Sequence, residues 1–188
     1  MKLTRRSSLL DVAAVVARAL SVAGQDAVLT GGACATLYSE GEYQSYDLDF
    51  ILQSAATQRQ LDAAMKPIGF RRKTDRYEHP EARFFVEFPA GPLGIGTDIA
   101  IRPVERAMKG VTVKLLSPTD SCRDRLAAWY HWKDRQSLET AVGIARRHKV
   151  SMDVIREWSS REGASTEFEE FIRILKRRRG PRQQGHRS

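Results

Sequence analysis

Cysteine is scarce in this 188-residue sequence: only Cys34 and Cys122, far apart and forming no CxxC pair. That speaks against a disulfide framework and against a cysteine-only zinc centre, and a reducing, cytoplasmic setting is expected. Long apolar runs are also missing, so nothing approaches the ~20 residues of a membrane span and no membrane partner is expected. There is no GxxxxGK, GxSxG or HExxH, which removes a P-loop, a serine hydrolase of that type and a zinc protease. His79, His131, His148 and His186 show no metal-ligand spacing. Acidic residues are absent from the end of the chain, KRRRGPRQQGHRS, where Lys176, Arg177, Arg178, Arg179, Arg182 and Arg187 supply +6 of the formal +8. The remaining +2 belongs to residues 1–175, so the folded body is near neutral. The tail, 176–188, is expected to be disordered and to serve as a tether for an acidic partner.

With 41% apolar and 29% charged residues, the rest has the composition of a globular protein. At the start, Asp11 and Arg18 interrupt what would be the apolar core of a leader peptide, while Leu9, Val12, Val16 and Leu20 recur at helical spacing. An amphipathic helix over 8–23 is therefore expected. Strands are expected over 26–30 and 45–52, with a short helix after Gly31-Gly32 between them. AATQRQLDAAMKPIGF (55–70) reads as a helix ended by Pro67 and Gly69, and 76–79 with 83–88 read as a hairpin turning at Pro80. GPLGIG (91–96) reads as a loop, and GTDIAIR (96–102) and GVTVKLL (110–116) as further strands. Ser117-Pro118-Thr119-Asp120 has the chemistry of a helix start, and helices are expected over 118–132, 134–148 and 152–161. A fourth follows Gly163, with Phe168, Phe171, Ile172 and Leu175 on one stripe. The expected architecture is α+β: a mixed-sheet core to residue 116, a helical module over 117–175, and the basic tail.

The chemistry concentrates in residues 28–52, VLTGGACATLYSEGEYQSYDLDFIL. Asp47 and Asp49 are two apart on an expected strand, so both carboxylates project from one face roughly 6.6 Å apart along the chain. Like charges so placed repel, and a hard cation such as Mg²⁺, which takes oxygen ligands from one or two carboxylates plus phosphates, relieves the repulsion. A third carboxylate from a neighbouring strand would complete a site for two metals about 3.5–4 Å apart. Gly31 and Gly32, between a strand and a helix, allow close backbone approach and offer N–H groups to phosphate, and Ser45 offers a hydroxyl beside them. The bland alternative is a pair of exposed strand acids that block edge-to-edge aggregation.

A glycine pair followed by DxD on the next strand resembles the nucleotidyltransferase superfamily with the DNA-polymerase-β-like palm. GGACATLY…SYDLDF looks most like its AbiEii/AbiGii-type toxin branch. LLSPTDSCRDRLAAWYHWKDRQSLETA resembles that branch's helical region, with Arg125 and the pair Lys133-Asp134 at the matching positions and Ser137 where another acid often stands. The resemblance implies that Gly31, Gly32, Ser45, Arg125 and Lys133 hold a nucleoside triphosphate and that Asp47 and Asp49 bind Mg²⁺ with a third carboxylate. Glu87, mid-strand in RFFVEFP, is preferred for that role over Asp98. It further implies NMP transfer to a hydroxyl of RNA, tRNA or protein, and a toxin with a cognate antitoxin. Two other functions stay open: a non-catalytic nucleic-acid-binding protein on the same fold, resting on the basic tail, and a nucleotidyltransferase acting on small molecules such as drugs. Trp129, Tyr130 and Trp132 read as core rather than as a base-stacking platform, and Cys34 as a small buried residue rather than a nucleophile.

Overall fold

A computed structural model describes residues 2–177. The expected basic tether, 176–188, lies from residue 178 on outside the described residues. The N-terminal part contains α1 (Leu9–Val22), β1 (Ala27–Thr30), α2 (Gly31–Tyr38), β2 (Asp47–Leu52), α3 (Gln58–Met65), β3 (Arg71–Lys73), β4 (Arg76–Glu78), β5 (Phe85–Glu87), β6 (Val104–Met108) and β7 (Val111–Leu115). Four helices follow: α4 (Pro118–Trp132), α5 (Arg135–Arg147), α6 (Met152–Arg161) and α7 (Ser165–Lys176). The strands form one mixed sheet in the order β3-β4-β5-β2-β1-β7-β6, and the architecture is α+β as expected. Among the described residues no helix is long and apolar enough to cross a membrane.

Local chemistry accounts for most element boundaries. Ser8 and Asp11 form a reciprocal capping box at the start of α1, whose buried stripe includes Leu9, Val12, Val16 and Leu20. Thr57 and Gln60 do the same for α3, which begins later than the expected helix and ends in a 3₁₀ turn at Pro67 and a left-handed Gly69. The chain after Gly69 forms the short edge strand β3, which pairs with β4 and has no apolar pattern to announce it. Residues 76–88 form the expected hairpin.

One expected strand is absent. Residues 96–102 hold only a single bridge, Ile95 to Asp98, and the strand that pairs with β7 is instead Val104–Met108. Ile95 N donates to Asp98 O at 2.9 Å and Asp98 N returns a bond to Ile95 O at 3.2 Å, closing a tight loop. The helical module holds this loop in place: Arg123 binds Asp98 at 2.5 Å, Trp158 Nε1 donates to Ile95 O at 3.2 Å, and Thr97 donates to Glu162 at 2.6 and 2.8 Å. Its apolar alternation is partly spent on solvent, Ile99 being 70% exposed. β6 and β7 join through Lys109 and Gly110, both at positive φ (51° and 75°), a two-residue turn that suits the twist of a hairpin.

Alternation along β2 divides the sheet into two faces. Leu48 and Phe50, with Val86 and Tyr77 of the neighbouring strands, are buried on the face covered by α1 and α3, where the Tyr77 hydroxyl meets Gln58 and Asp62. On the other face α2 lies over β1 and β2 and is backed by α4. Trp129 is buried and Tyr130 stacks on Trp158 at 5.4 Å, so these two belong to the core, whereas Trp132 is 81% exposed.

Candidate active site

The strand register assembles the acids. In β2, Asp49 pairs with Thr30 of β1 on one side and with Glu87 of β5 on the other, so the three residues lie in one row on the face under α2. Asp47 lies on the same face one step away, beside Phe85. Asp98, the competing third carboxylate, stands elsewhere: it is bound to Arg123 and Arg161 in the 95–98 loop.

The glycine pair is fitted to these acids. Gly31 has φ +60°, and a Cβ there would overlap the Asp49 carboxylate; a Cβ on Gly32 would lie 2.5 Å from Ser45 Oγ. Gly31 is also the first residue of α2, and the N-cap Thr30 makes no side-chain capping bond, so the N–H groups of the first turn lie uncapped beside Asp49. Gly31→Ala is expected to destabilise the protein by about 1–3 kcal/mol, because it adds left-handed strain to a clash with Asp49. Gly32→Ala is expected to displace the Ser45 hydroxyl at smaller cost. Thermal denaturation of the two variants checks the order.

Ser45 is buried, and its hydroxyl donates to Asp47 Oδ1 while its N–H donates to Thr36 Oγ1 at 2.8 Å. It therefore orients a carboxylate rather than presenting a free donor to phosphate. From α4 come Asp124, which no sequence motif singled out, and Arg125. Arg125 donates to Asp124 through Nε at 3.1 Å and Nη2 at 2.6 Å. Burial works against the Arg125 charge, but Asp124, Tyr43 and Asp49 outweigh it and raise its pKa. Lys133 does not join the cluster. It is eight residues further along, roughly 12 Å of helix, holds the left-handed C-cap of α4, and is bound to Glu167 at 2.6 Å. Asp134 caps α5 by accepting from Gln136 N and Ser137 Oγ, so the Lys133-Asp134 pair forms the turn between two helices.

The electrostatics follow from crowding. Burial, then the charges of Asp47, Glu87 and Asp124, push the Asp49 carboxyl up to about 7, with Arg125 opposing. Glu87 is raised in the same way by burial, Asp47 and Asp75, with Arg76 opposing. Among the described residues no three acid, histidine or cysteine side chains converge closely enough to enclose a metal ion unaided. Mg²⁺ asks less than that, since it commonly takes one or two protein carboxylates and completes its shell with phosphate and water. An all-oxygen donor set, two aspartates on one strand face and an uncapped helix N-terminus for phosphate fit a cation that arrives with a triphosphate.

No protein-family profile matches the sequence, and no curated relative matches it. Solved structures do. A nucleotidyltransferase-like antigenic protein from Paracoccidioides brasiliensis is 20% identical with a TM-score of 0.55, covering 76% of this chain and 76% of its own. The antibiotic-resistance factor ANT(2'')-Ia is 14% identical with a TM-score of 0.52, covering 87% of this chain and 97% of its own. At these identities the likeness is one of fold. The chain has a nucleotidyltransferase-like fold with a helical C-terminal part.

Proposed function

We propose that the chain is a metal-dependent nucleotidyltransferase that moves NMP from an NTP to a hydroxyl acceptor. The observation that carries this reading is the approach of Gly31, at the uncapped start of α2, to the Asp49 carboxylate, which brings phosphate donors and metal-ligand oxygens to one point. Asp47 and Asp49 would hold Mg²⁺, with Glu87 from the next strand as the third carboxylate. The first-turn N–H groups of α2 and the Arg125 guanidinium would hold the triphosphate, and Ser45 would keep Asp47 aimed. Bound Mg²⁺ would supply charge neutralisation at the phosphoryl oxygens. The acceptor oxygen bonds to the α-phosphorus, the bond to the bridging oxygen breaks, pyrophosphate leaves, and the hydroxyl proton goes to solvent. Lys133 has no part in this scheme, its ammonium being committed to Glu167.

The resemblance of GGACATLY…SYDLDF to AbiEii/AbiGii-type toxins favours RNA or protein as acceptor and a cognate antitoxin as partner. The fold likeness to ANT(2'')-Ia supports a second reading, a small-molecule acceptor. The test incubates the protein with each labelled NTP, Mg²⁺ and, separately, total tRNA, a protein lysate and aminoglycosides. Label transfer that Asp47→Ala reduces about 10²–10³-fold is the expected result, comparable to losing a major electrostatic group from a reacting centre. No transfer to any acceptor with any NTP would overturn the reading.

A further inference from the structure

The face of the sheet that carries Asp47 and Asp49 is only half roofed. Over β1 and β2 it lies beneath α2. Over β5, β4 and β3 its side chains are half-buried or exposed, while Val86 and Tyr77, on the reverse of the same strands, are buried. The register shows what this open half carries. Asp49 pairs with Glu87, Glu87 with Arg76, and Arg76 with Lys73, so one row crosses from the acids to the sheet edge. At about 4.8 Å per strand, that row is roughly 14 Å long. Arg71, two residues from Lys73 on the edge strand, shares its face.

This surface has the parts of a strand-binding track. Arg71 is exposed and makes no ion pair among the described residues. Lys73 and Arg76 share one acid, Glu78, at 3.3 and 2.5 Å, and the Arg76 guanidinium lies 4.4 Å from the centre of the Phe85 ring. The three cations outnumber Glu78 and Asp75, the acids beside them outside the candidate metal ligands. Cations interleaved with an aromatic ring are how proteins follow a single-stranded polynucleotide, and a row of this length has no use for a compact polyol.

We propose that the open face of β3, β4 and β5 is the acceptor track for a single-stranded polynucleotide. The terminal hydroxyl lies at Asp47 and Asp49, and the upstream phosphates lie on Arg76, Lys73 and Arg71. This rests on the nucleotidyltransferase reading and narrows its acceptor class.

The test uses the full chain, a labelled 12-nucleotide single-stranded RNA, the DNA strand of the same sequence, and the variant Arg71→Ala/Lys73→Ala. Both positions lie on an exposed edge strand, away from the acids. Affinity is measured across a salt series. Losing two phosphate contacts should weaken binding about tenfold and flatten the slope of log K against log salt by about 1.4. In the transfer assay KM for the strand rises by a similar factor while KM for NTP is unchanged, and Arg71→Lys/Lys73→Arg restores both readouts. RNA and DNA arms that respond alike mean phosphate recognition, and a larger response with RNA means that the 2′-hydroxyl contributes; either supports the track. An unchanged salt slope and strand KM overturn it, as does transfer confined to aminoglycosides or protein. If no acceptor is ever labelled while the salt-slope change persists, the catalytic reading fails, the acceptor role falls with it, and the face stands only as a strand-binding surface.

Discussion

Asp49→Asn is expected to abolish nucleotidyl transfer and, in the metal-free protein, to raise stability by roughly 1–3 kcal/mol, or several degrees in Tm. Few substitutions of a buried or half-buried residue stabilise, so the sign is diagnostic. It follows from the crowding of Asp49 with Asp47, Glu87 and Asp124, with only Arg125 in opposition. A carboxyl whose pKa is about 7 folded and near 3.9 unfolded costs stability as it ionises. Below about pH 4 it is protonated in both states and costs nothing. The penalty grows as pH rises towards 7 and is complete above it. The wild-type protein should therefore fall progressively behind Asp49→Asn across that window. Mg²⁺ together with an NTP should reverse the order, because a ligand held only by the native wild-type site raises its Tm and leaves the variant's unchanged. Thermal denaturation at pH 5 and 8, with and without Mg²⁺ and NTP, measures all of this. A variant less stable than the wild type at pH 8 would mean that the Asp49 charge is already compensated.

The candidate site was legible in the sequence to the extent that its geometry is local. A glycine pair, a short helix and DxD two residues apart fix a face and a helix N-terminus within 25 residues, and strand alternation alone puts Asp47 and Asp49 side by side. Glu87 was readable because a polar residue inside FFVEF has to point away from the apolar face. What sequence could not show depends on contacts between distant segments. Asp124 stands next to Arg125 in an ordinary helical run, and only the packing of α4 behind α2 brings it near Asp49. Ser45 was readable as a neighbour of the site, but its bond to Asp47 rather than to a ligand is a tertiary fact. Lys133 had a motif match, yet the turn geometry and Glu167 claim it. β3 is three consecutive basic residues, a pattern that carries no strand signal and becomes a strand only through its partner β4.

The clearest failure, the strand expected over 96–102, leads to the other large effect. Arg123 is a long side chain only 4% exposed, held by Asp98 at 2.5 Å and Asp120 at 2.9 Å and lying 5.1 Å from the centre of the Trp158 ring. It joins the 95–98 loop to the helical module. Arg123→Met is expected to cost about 3 kcal/mol, because it removes the buried cation that Asp98 and Asp120 share and leaves Asp98 no closer cation than Arg161 at 3.7 Å and Asp120 only the Ser117 hydroxyl. For a chain of this size that is of the order of 10 °C in Tm. Adding Asp98→Asn to Arg123→Met should recover part of the loss, since a carboxylate left with only the more distant Arg161, rather than lost volume, is the main cost. The pH dependence has the opposite sign to that of Asp49. Hydrogen bonding from Arg123, then from Ala100 N, lowers the Asp98 pKa. The stability it confers is thus complete above the unfolded value of about 3.9 and is lost as pH falls through the lower, folded one. In Arg123→Met the part of that acid lability that comes from Arg123 should disappear, and the part from Ala100 N should remain. Transfer activity assayed well below the melting temperature should change little, because Asp98 and Arg123 stand apart from the acids of the candidate site. A large fall in activity with the fold intact would instead make the loop part of the catalytic machinery.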